Sequence, residues 1–359
     1  MIRILAGAIC IQAFMIVSAL ASDYAQPWLK SNHALVLDAY ERNPLDWNKI
    51  VKNKKIRGFV GKASDGLPPP YRCSKQNATK QILCKKTFQN YALKQELYKT
   101  RKQIAKALGL KWGAYHLGRP GNPIEQANHF ISFSNPQPDE LIALDIEHDD
   151  PKKWISFSDA EVFAKHIFRR LGRYPILYTN HHTAKRIAEQ RIQYPLLSRL
   201  PLWYARYRTN IRGVFPLGNW NSYALWQFSS RSNCNRNRCL MRISGTQPDI
   251  DINATGLSFD AFEKAWPFDG LVPERPVDET EQLVIASLVK ENGFKQTEAP
   301  LVSLLQRHPG TKKRVSVPTS RKKAAFAPSS ETDLLEQGLK GHYRFTSALE
   351  AKHPEDRYY

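Results

Sequence analysis

Short apolar runs that stop abruptly at polar or glycine residues recur along this chain. They occupy residues 34–37, 58–61, 112–116, 141–146, 175–178, 202–204 and 223–227. Many contain β-branched or aromatic residues, as buried strands do. Helical patterns lie between several of them, at 88–108 and at 159–171, the second with Ser158 as its expected N-cap. Strands that are apolar on both faces and alternate with helices imply a parallel sheet, in an open α/β fold or a barrel. After Pro175 the helical signal fades, so the second half reads as less regular than a standard eightfold barrel. Residues 248–253 would close the sheet. No internal repeat is visible.

In a parallel barrel, chemistry gathers at the C-terminal ends of the strands. The fourth run ends most informatively, as Leu144-Asp145-Ile146-Glu147. Residues i and i+2 of a strand share a face, so Asp145 and Glu147 project together. Acid–base work on a glycosidic bond uses such a rigid carboxylate pair. A strand end with solvated acids is the bland alternative, and the other strand ends have to decide. They supply Asp38, Asp65, Tyr115, Tyr178, Trp203 and Trp226, and the closing segment supplies Asp251. Rings beside carboxylates suit sugars, whose flat faces stack while their hydroxyls need polar partners.

The compartment is read from the N-terminus and the cysteines. Arg3, an apolar run over 4–20 and Ala19-Leu20-Ala21 have the layout of a cleaved signal peptide over residues 1–21, so a secreted or periplasmic protein is expected. Cys10 follows Ile9 rather than a small residue, which argues against lipidation. Cys73, Cys84, Cys234 and Cys239 remain, an even count that suggests disulfides in an exported chain. Three pairings are open. Local pairing is preferred because each pair sits in a polar, loop-like segment, and no Cys-x-x-Cys spacing supports a metal site. The formal net charge of +20 favours polyanionic partners, nucleic acid and anionic wall polymers among them. Export and disulfides weigh against nucleic acid.

The order of motifs resembles glycoside hydrolase family 25, the Chalaropsis-type lysozymes (N-acetylmuramidases). The resemblance rests on Leu37-Asp38 with Leu45-Asp46-Trp47, Phe59-Val60-Gly61-Lys62-Ala63-Ser64-Asp65-Gly66, Gly113-Ala114-Tyr115-His116 and Gln126-Ala127-Asn128-His129-Phe130. It continues through Leu144-Asp145-Ile146-Glu147, Tyr174-Pro175-Ile176-Leu177-Tyr178, Leu202-Trp203-Tyr204-Ala205, Leu225-Trp226-Gln227-Phe228 and Asp251-Ile252-Asn253. Each motif alone is weak; nine in order over roughly residues 34–256 are not. The resemblance implies an α/β fold, an irregular, flattened, TIM-like (β/α) barrel with eight strands and fewer helices, over 22–266. It implies hydrolysis of the β-1,4 bond between N-acetylmuramic acid and N-acetylglucosamine in peptidoglycan, with no cofactor and no metal. Glu147 falls on the family's general acid, which needs a raised pKa. Asp145 falls on the partner that orients the substrate's N-acetyl group. Asp38 and Asp251 fall on further cleft carboxylates, and Asp65, Tyr115, Tyr178, Trp203 and Trp226 on candidate substrate contacts.

Departures and bland readings stand beside these. Asp38-Ala39-Tyr40 replaces the usual Asp-Val-Ser, and Asp65 stands where the family has Glu. Residues 68–84 read as an insertion beside the cleft. His116 reads as a satisfied barrel residue, and for Trp203 and Trp226 core packing competes evenly with substrate stacking. His148, Asp149 and Asp150 read as a solvated loop rather than a metal cluster. In the extension 267–359, Pro267, Pro273 and Pro276 punctuate a linker-like passage and 278–292 reads as one amphipathic helix. From Arg307 the chain is basic and Pro-rich, lacks apolar density for a core and is expected to be largely disordered, with helical propensity at 331–339. The extension's candidate role is electrostatic retention on anionic cell wall. A monomer is expected. A non-catalytic peptidoglycan-binding barrel is the alternative function.

Overall fold

Eight strands close into one barrel in chain order. The computed structural model describes residues 23–69, 72–73, 77–278 and 282. The expected signal peptide, most of the C-terminal extension (including the expected helix at 331–339 and nearly all of that at 278–292), and residues 70–71 and 74–76 of the insertion lie outside the described residues. The strands are His33–Ala39 (β1), Ile56–Asp65 (β2), Lys111–Leu117 (β3), Leu141–Ile146 (β4), Ile176–Asn180 (β5), Leu202–Ala205 (β6), Leu225–Ser229 (β7) and Asp251–Ser258 (β8). Six α-helices accompany them: Trp47–Ile50 (α1), Ala78–Ala107 (α2), Pro123–Ser134 (α3), Phe157–Leu171 (α4), His181–Glu189 (α5) and Phe259–Ala265 (α6). Each of the seven expected runs overlaps a strand, with Pro175 just before β5 and Tyr223 and Ala224 just before β7. No α-helix joins β6 to β7 or β7 to β8, in keeping with the fading helical signal.

One expectation needs correction. The sheet is not wholly parallel, because β8 runs antiparallel to both β1 and β7. The segment 230–250 therefore leaves and returns at the same rim, the one formed by the C-terminal ends of β1–β7. Asp251 lies at the start of its strand, and only the reversed direction brings it to that rim.

Alternation along each strand sorts the side chains. Ala34, Val36, Val60, Leu141, Ala143, Ile176, Trp203 and Leu225 form one buried cluster inside the barrel, joined by Phe262 and Trp266. α6 begins directly after β8 ends, and the Phe259 N–H bonds to the Asn32 carbonyl just before β1. Phe262 and Trp266 therefore plug the lower end. Outward residues such as Leu35, Leu37, Phe59, Trp112, Leu144, Leu177 and Trp226 pack under the helices and loops in a second, larger cluster.

Local signals explain most helix ends. Asn122 caps α3 ahead of Pro123, accepting from the Ile124 and Glu125 N–H groups at 3.0 and 3.3 Å. α4 starts earlier than expected. Ser156, not Ser158, caps it, accepting from the Asp159 N–H at 3.1 Å. α2 also starts ten residues early, and Cys84 lies on it rather than in a loop. Its bond to Cys73 ties the first turns to the preceding segment, and Cys234 pairs with Cys239. Both pairings are local.

The chain divides into two compact units, Met1–Pro276 and Val277–Tyr359, and nearly all of the second lies outside the described residues. Residues 267–276, read from sequence as linker, are held in the first. The Val272 N–H bonds to the Arg199 carbonyl at 2.8 Å, and buried Arg191 donates to the carbonyls of Arg275 and Pro276 at 2.7 and 3.1 Å.

Candidate active site

β4 carries apolar residues to its last turn and then two acids. Asp145 is 5% exposed inside the barrel mouth, whereas Glu147, one residue past the strand, is half-buried. The backbone around them is held tightly. The Gly118 N–H bonds to the Asp145 carbonyl at 2.9 Å, and a Cβ on Gly118 would stand 2.4 Å from Ile155, so this approach needs glycine. The Thr179 hydroxyl donates to the Ile146 carbonyl at 2.6 Å. The Asn180 amide and the Thr183 hydroxyl (3.3 Å) donate to the Glu147 carbonyl. Asn180 also caps α5 through its oxygen. The Glu147 main chain is thereby fixed by the end of β5 and the start of α5.

Burial, with the neighbouring charge of Glu147, pushes the Asp145 carboxyl well above the ordinary range. Its buried Oδ1 has no hydrogen-bond partner among the described residues, which also favours the neutral form.

Asp38 and Asp251 are register partners across the β1–β8 seam. Asp38 Oδ2 accepts from Asn253 Nδ2 at 2.7 Å and from Gln227 Nε2 at 3.0 Å. Both amides are satisfied in turn. Asn253 Oδ1 accepts from Trp203 Nε1 at 2.6 Å, and Gln227 Oε1 accepts from the hydroxyls of Tyr178 (3.0 Å) and Tyr207 (2.9 Å). Even so, burial raises Asp38 to about 6. Asp251 rises well above the usual range through burial and the charges of Asp38, Glu147 and Asp249, with Arg231 opposing. Three inward carboxyls thus compete for negative charge at one mouth.

The rim beside β1, at the ends of β2 and β3, is cationic. Lys62 Nζ lies 3.0 Å from Asp65, and Arg119 Nε lies 2.8 Å from the other Asp65 oxygen while its guanidinium covers the Trp154 ring at 4.5 Å. Burial alone would raise Asp65, but Lys62 and Arg119 outweigh it and hold the acid at about 2. Asp65 is thus a charged strut between two cations.

The aromatic candidates separate. Tyr115 and Tyr178 face inward and are half-buried, and burial pushes both phenols well up, so they act as neutral hydroxyls. Trp203 and Trp226 are corrections. Trp203 is 1% exposed, with its ring edge-on to Tyr178 (4.9 Å) and Tyr115 (6.3 Å) and its N–H spent on Asn253. Trp226 is 0% exposed and faces outward, edge-on to Trp28 at 5.1 Å, with its N–H on the Arg206 carbonyl at 2.7 Å. Neither has a face to offer a sugar. His116 also points outward, fully buried between Ser64 Oγ (2.8 Å) and Gln126 Oε1 (3.1 Å), and burial lowers it to about 3. Asp149 pairs with Arg186 at 2.7 Å. Among the described residues no cluster of three or more His, Cys, Asp or Glu stands in metal-holding geometry.

The family model for glycosyl hydrolases family 25 matches residues 45–236, more than half of the chain. The chain belongs to glycosyl hydrolase family 25. Several solved structures are similar, all at low identity. The bacterial lysozyme from Streptomyces coelicolor is 18% identical with a TM-score of 0.45, covering 65% of this chain and 97% of that one. The muramidase from Acremonium alcalophilum is 19% identical with a TM-score of 0.45, covering 64% and 97%. The family GH25 lysozyme from Aspergillus fumigatus is 17% identical with a TM-score of 0.45, covering 65% and 98%. No curated protein matches the chain in sequence.

The family 25 match includes Asp145 and Glu147 but stops short of Asp38 and Asp251 at either end. Barrel closure brings that outlying pair to the same mouth. Sequence reading missed the residues that hold it. Gln227 is a lone polar residue between Trp226 and Phe228, and Asn253 stands at i+2 from Asp251, so alternation alone aims both inward. Lys62 carries the same signal between Gly61 and Ala63. Arg119 and Trp154 come from connecting segments and leave no such trace.

Proposed function

We propose that this chain is an N-acetylmuramidase, cleaving the β-1,4 bond between N-acetylmuramic acid and N-acetylglucosamine in peptidoglycan. The observation that carries the reading is the Asp145–Glu147 pair at the end of β4, in a family 25 barrel, with Asp38 and Asp251 across the mouth. Two carboxyls so coupled keep one proton between them, because burial and mutual repulsion oppose the second ionisation. That proton reaches the glycosidic oxygen through Glu147, the member nearer solvent. Asp145, left anionic, accepts a hydrogen bond from the substrate's N-acetyl N–H. The acetyl oxygen attacks the anomeric carbon as the glycosidic bond breaks. Water then opens the resulting ring, and its proton returns to the pair. Asp38 and Asp251 add negative potential, which favours the positive charge developing on the sugar ring. Tyr115 and Tyr178 offer hydroxyls and ring edges to the substrate.

An exported monomer acting on peptidoglycan, with the basic extension adding electrostatic retention on anionic wall, completes the reading. Purified protein should release reducing sugar from peptidoglycan, and Glu147→Gln should not. A wild-type protein that sediments with peptidoglycan yet releases nothing would leave only a binding role.

A further inference from the structure

A cavity beside the mouth lies outside the catalytic cleft. It has a volume of about 730 Å³ and lies between the outer face of β2 and helix α2, a size typical of sites for small ligands. Its floor is Gly61, Tyr98, Trp112 and Phe133. A Cβ on residue 61 would meet the Trp112 ring at 3.0 Å, so glycine lets the strand lie against it.

Three ties set the walls. The Arg101 guanidinium donates to the carbonyls of Tyr40 (2.8 Å), Glu41 (3.3 Å) and Asn43 (2.6 Å), pinning α2 to the segment after β1. His129 Nδ1 donates to the Gly66 carbonyl at 2.8 Å, leaving Nε2 to accept from the Tyr91 hydroxyl at 2.9 Å. Lys94 pairs with Glu41. A cavity held on three sides is preorganised for a ligand.

Its position selects the occupant. A glycan crossing the barrel mouth runs on the inner side of β2, and this cavity is on the outer side. Lys62 and Asp65, at the end of β2, border both. A branch of the substrate can enter where its main chain cannot. The lining gives the chemistry. Leu93 and Leu97 are 68% and 36% exposed on the α2 wall, above an apolar floor. Arg42 at the rim is exposed and has no ion-pair partner among the described residues. Lys94 and Arg101 of α2 also line the cavity, and Lys62 borders it. Aliphatic side chains would find the floor and carboxylates the cations.

We infer that this cavity receives the peptide branch borne by the muramic acid residue, an anionic and mainly aliphatic short peptide. The inference rests on the muramidase reading for the glycan that presents the peptide, though not for the peptide's own affinity.

The full chain is assayed on intact peptidoglycan and on peptidoglycan stripped of its peptides by an amidase. It is compared with Asn90→Trp, which fills the mouth from an exposed helix position, and with Arg42→Glu. Both variants should lower kcat/KM on intact substrate about 10-fold, mainly through KM, while activity on stripped glycan stays within about two-fold. Free stem tetrapeptide, followed by NMR titration, should bind the wild type saturably and Asn90→Trp not at all. Equal rates on both substrates in all three proteins, with no peptide binding, would overturn the inference and leave the muramidase reading intact. Peptide binding without hydrolysis of either substrate would remove the muramidase reading and keep the cavity. Neither binding nor hydrolysis would remove both.

Discussion

The two ends of the barrel interior are made by the same eight strands, with opposite contents. At the lower end Val36, Leu141, Ile176 and Trp203 meet Phe262 and Trp266 in an apolar cluster. At the mouth, further along the barrel strands, the inward positions are Asp38, Asp145, Tyr178 and Gln227. The plugged end supplies burial free energy. The open end gives some of it back by holding carboxyls where water cannot solvate them, and that same desolvation keeps protons available for chemistry. The barrel thus divides stability from function along its axis.

The division can be broken most severely at Glu147. Glu147→Gln should lower kcat on peptidoglycan by about 10³-fold or more with the melting temperature unchanged, as judged by calorimetry beside the activity assay. Phe262→Ala should do the reverse. Truncating the plug should cost about 3–5 kcal/mol in urea unfolding, while kcat/KM of the folded protein stays near wild type.

Asp38 sharpens the comparison through pH. Its folded pKa, about 6, lies above the ordinary 3.8, so the folded state holds a proton that the unfolded state has lost. Stability therefore falls as pH rises from about 4 through about 6 and then levels off. Asp38→Asn should remove that loss, raising stability at pH 7 by about 1–3 kcal/mol and leaving it unchanged below pH 4. Activity should fall in the same variant.

The smallest effects belong to the two tryptophans. Trp203→Phe should cost about 1 kcal/mol and lower kcat several-fold, because Asn253 loses the donor that orients it against Asp38. Trp226→Phe, on the outer face, should cost a similar amount of stability with KM and kcat unchanged.

These tests bear unequally on what was legible in the chain. The seven apolar runs and the Asp145–Glu147 spacing could be read directly, because strand period and abrupt polar endings are local properties. The β8 direction could not, since residues 248–253 look the same whichever way they join the sheet, and only pairing to both β1 and β7 decides it. Ser156 and Ser158 are chemically equivalent caps two residues apart, and hydrogen-bond geometry chose the first. α2 begins early because its first turns carry few buried residues and so lack apolar periodicity; the Cys73–Cys84 bond and the Asn77 cap hold them instead. The outward face of Trp226 was within reach, since Leu225 and Gln227 flank it and must share the other face.

The bond cleaved tests the central claim most directly. Peptidoglycan digested by the protein, reduced with borohydride and resolved by mass spectrometry reports which sugar carries the new reducing end. The account predicts N-acetylmuramitol at every new end, absent with Glu147→Gln. New ends of N-acetylglucosaminitol, or no new ends from folded wild-type protein, would contradict it.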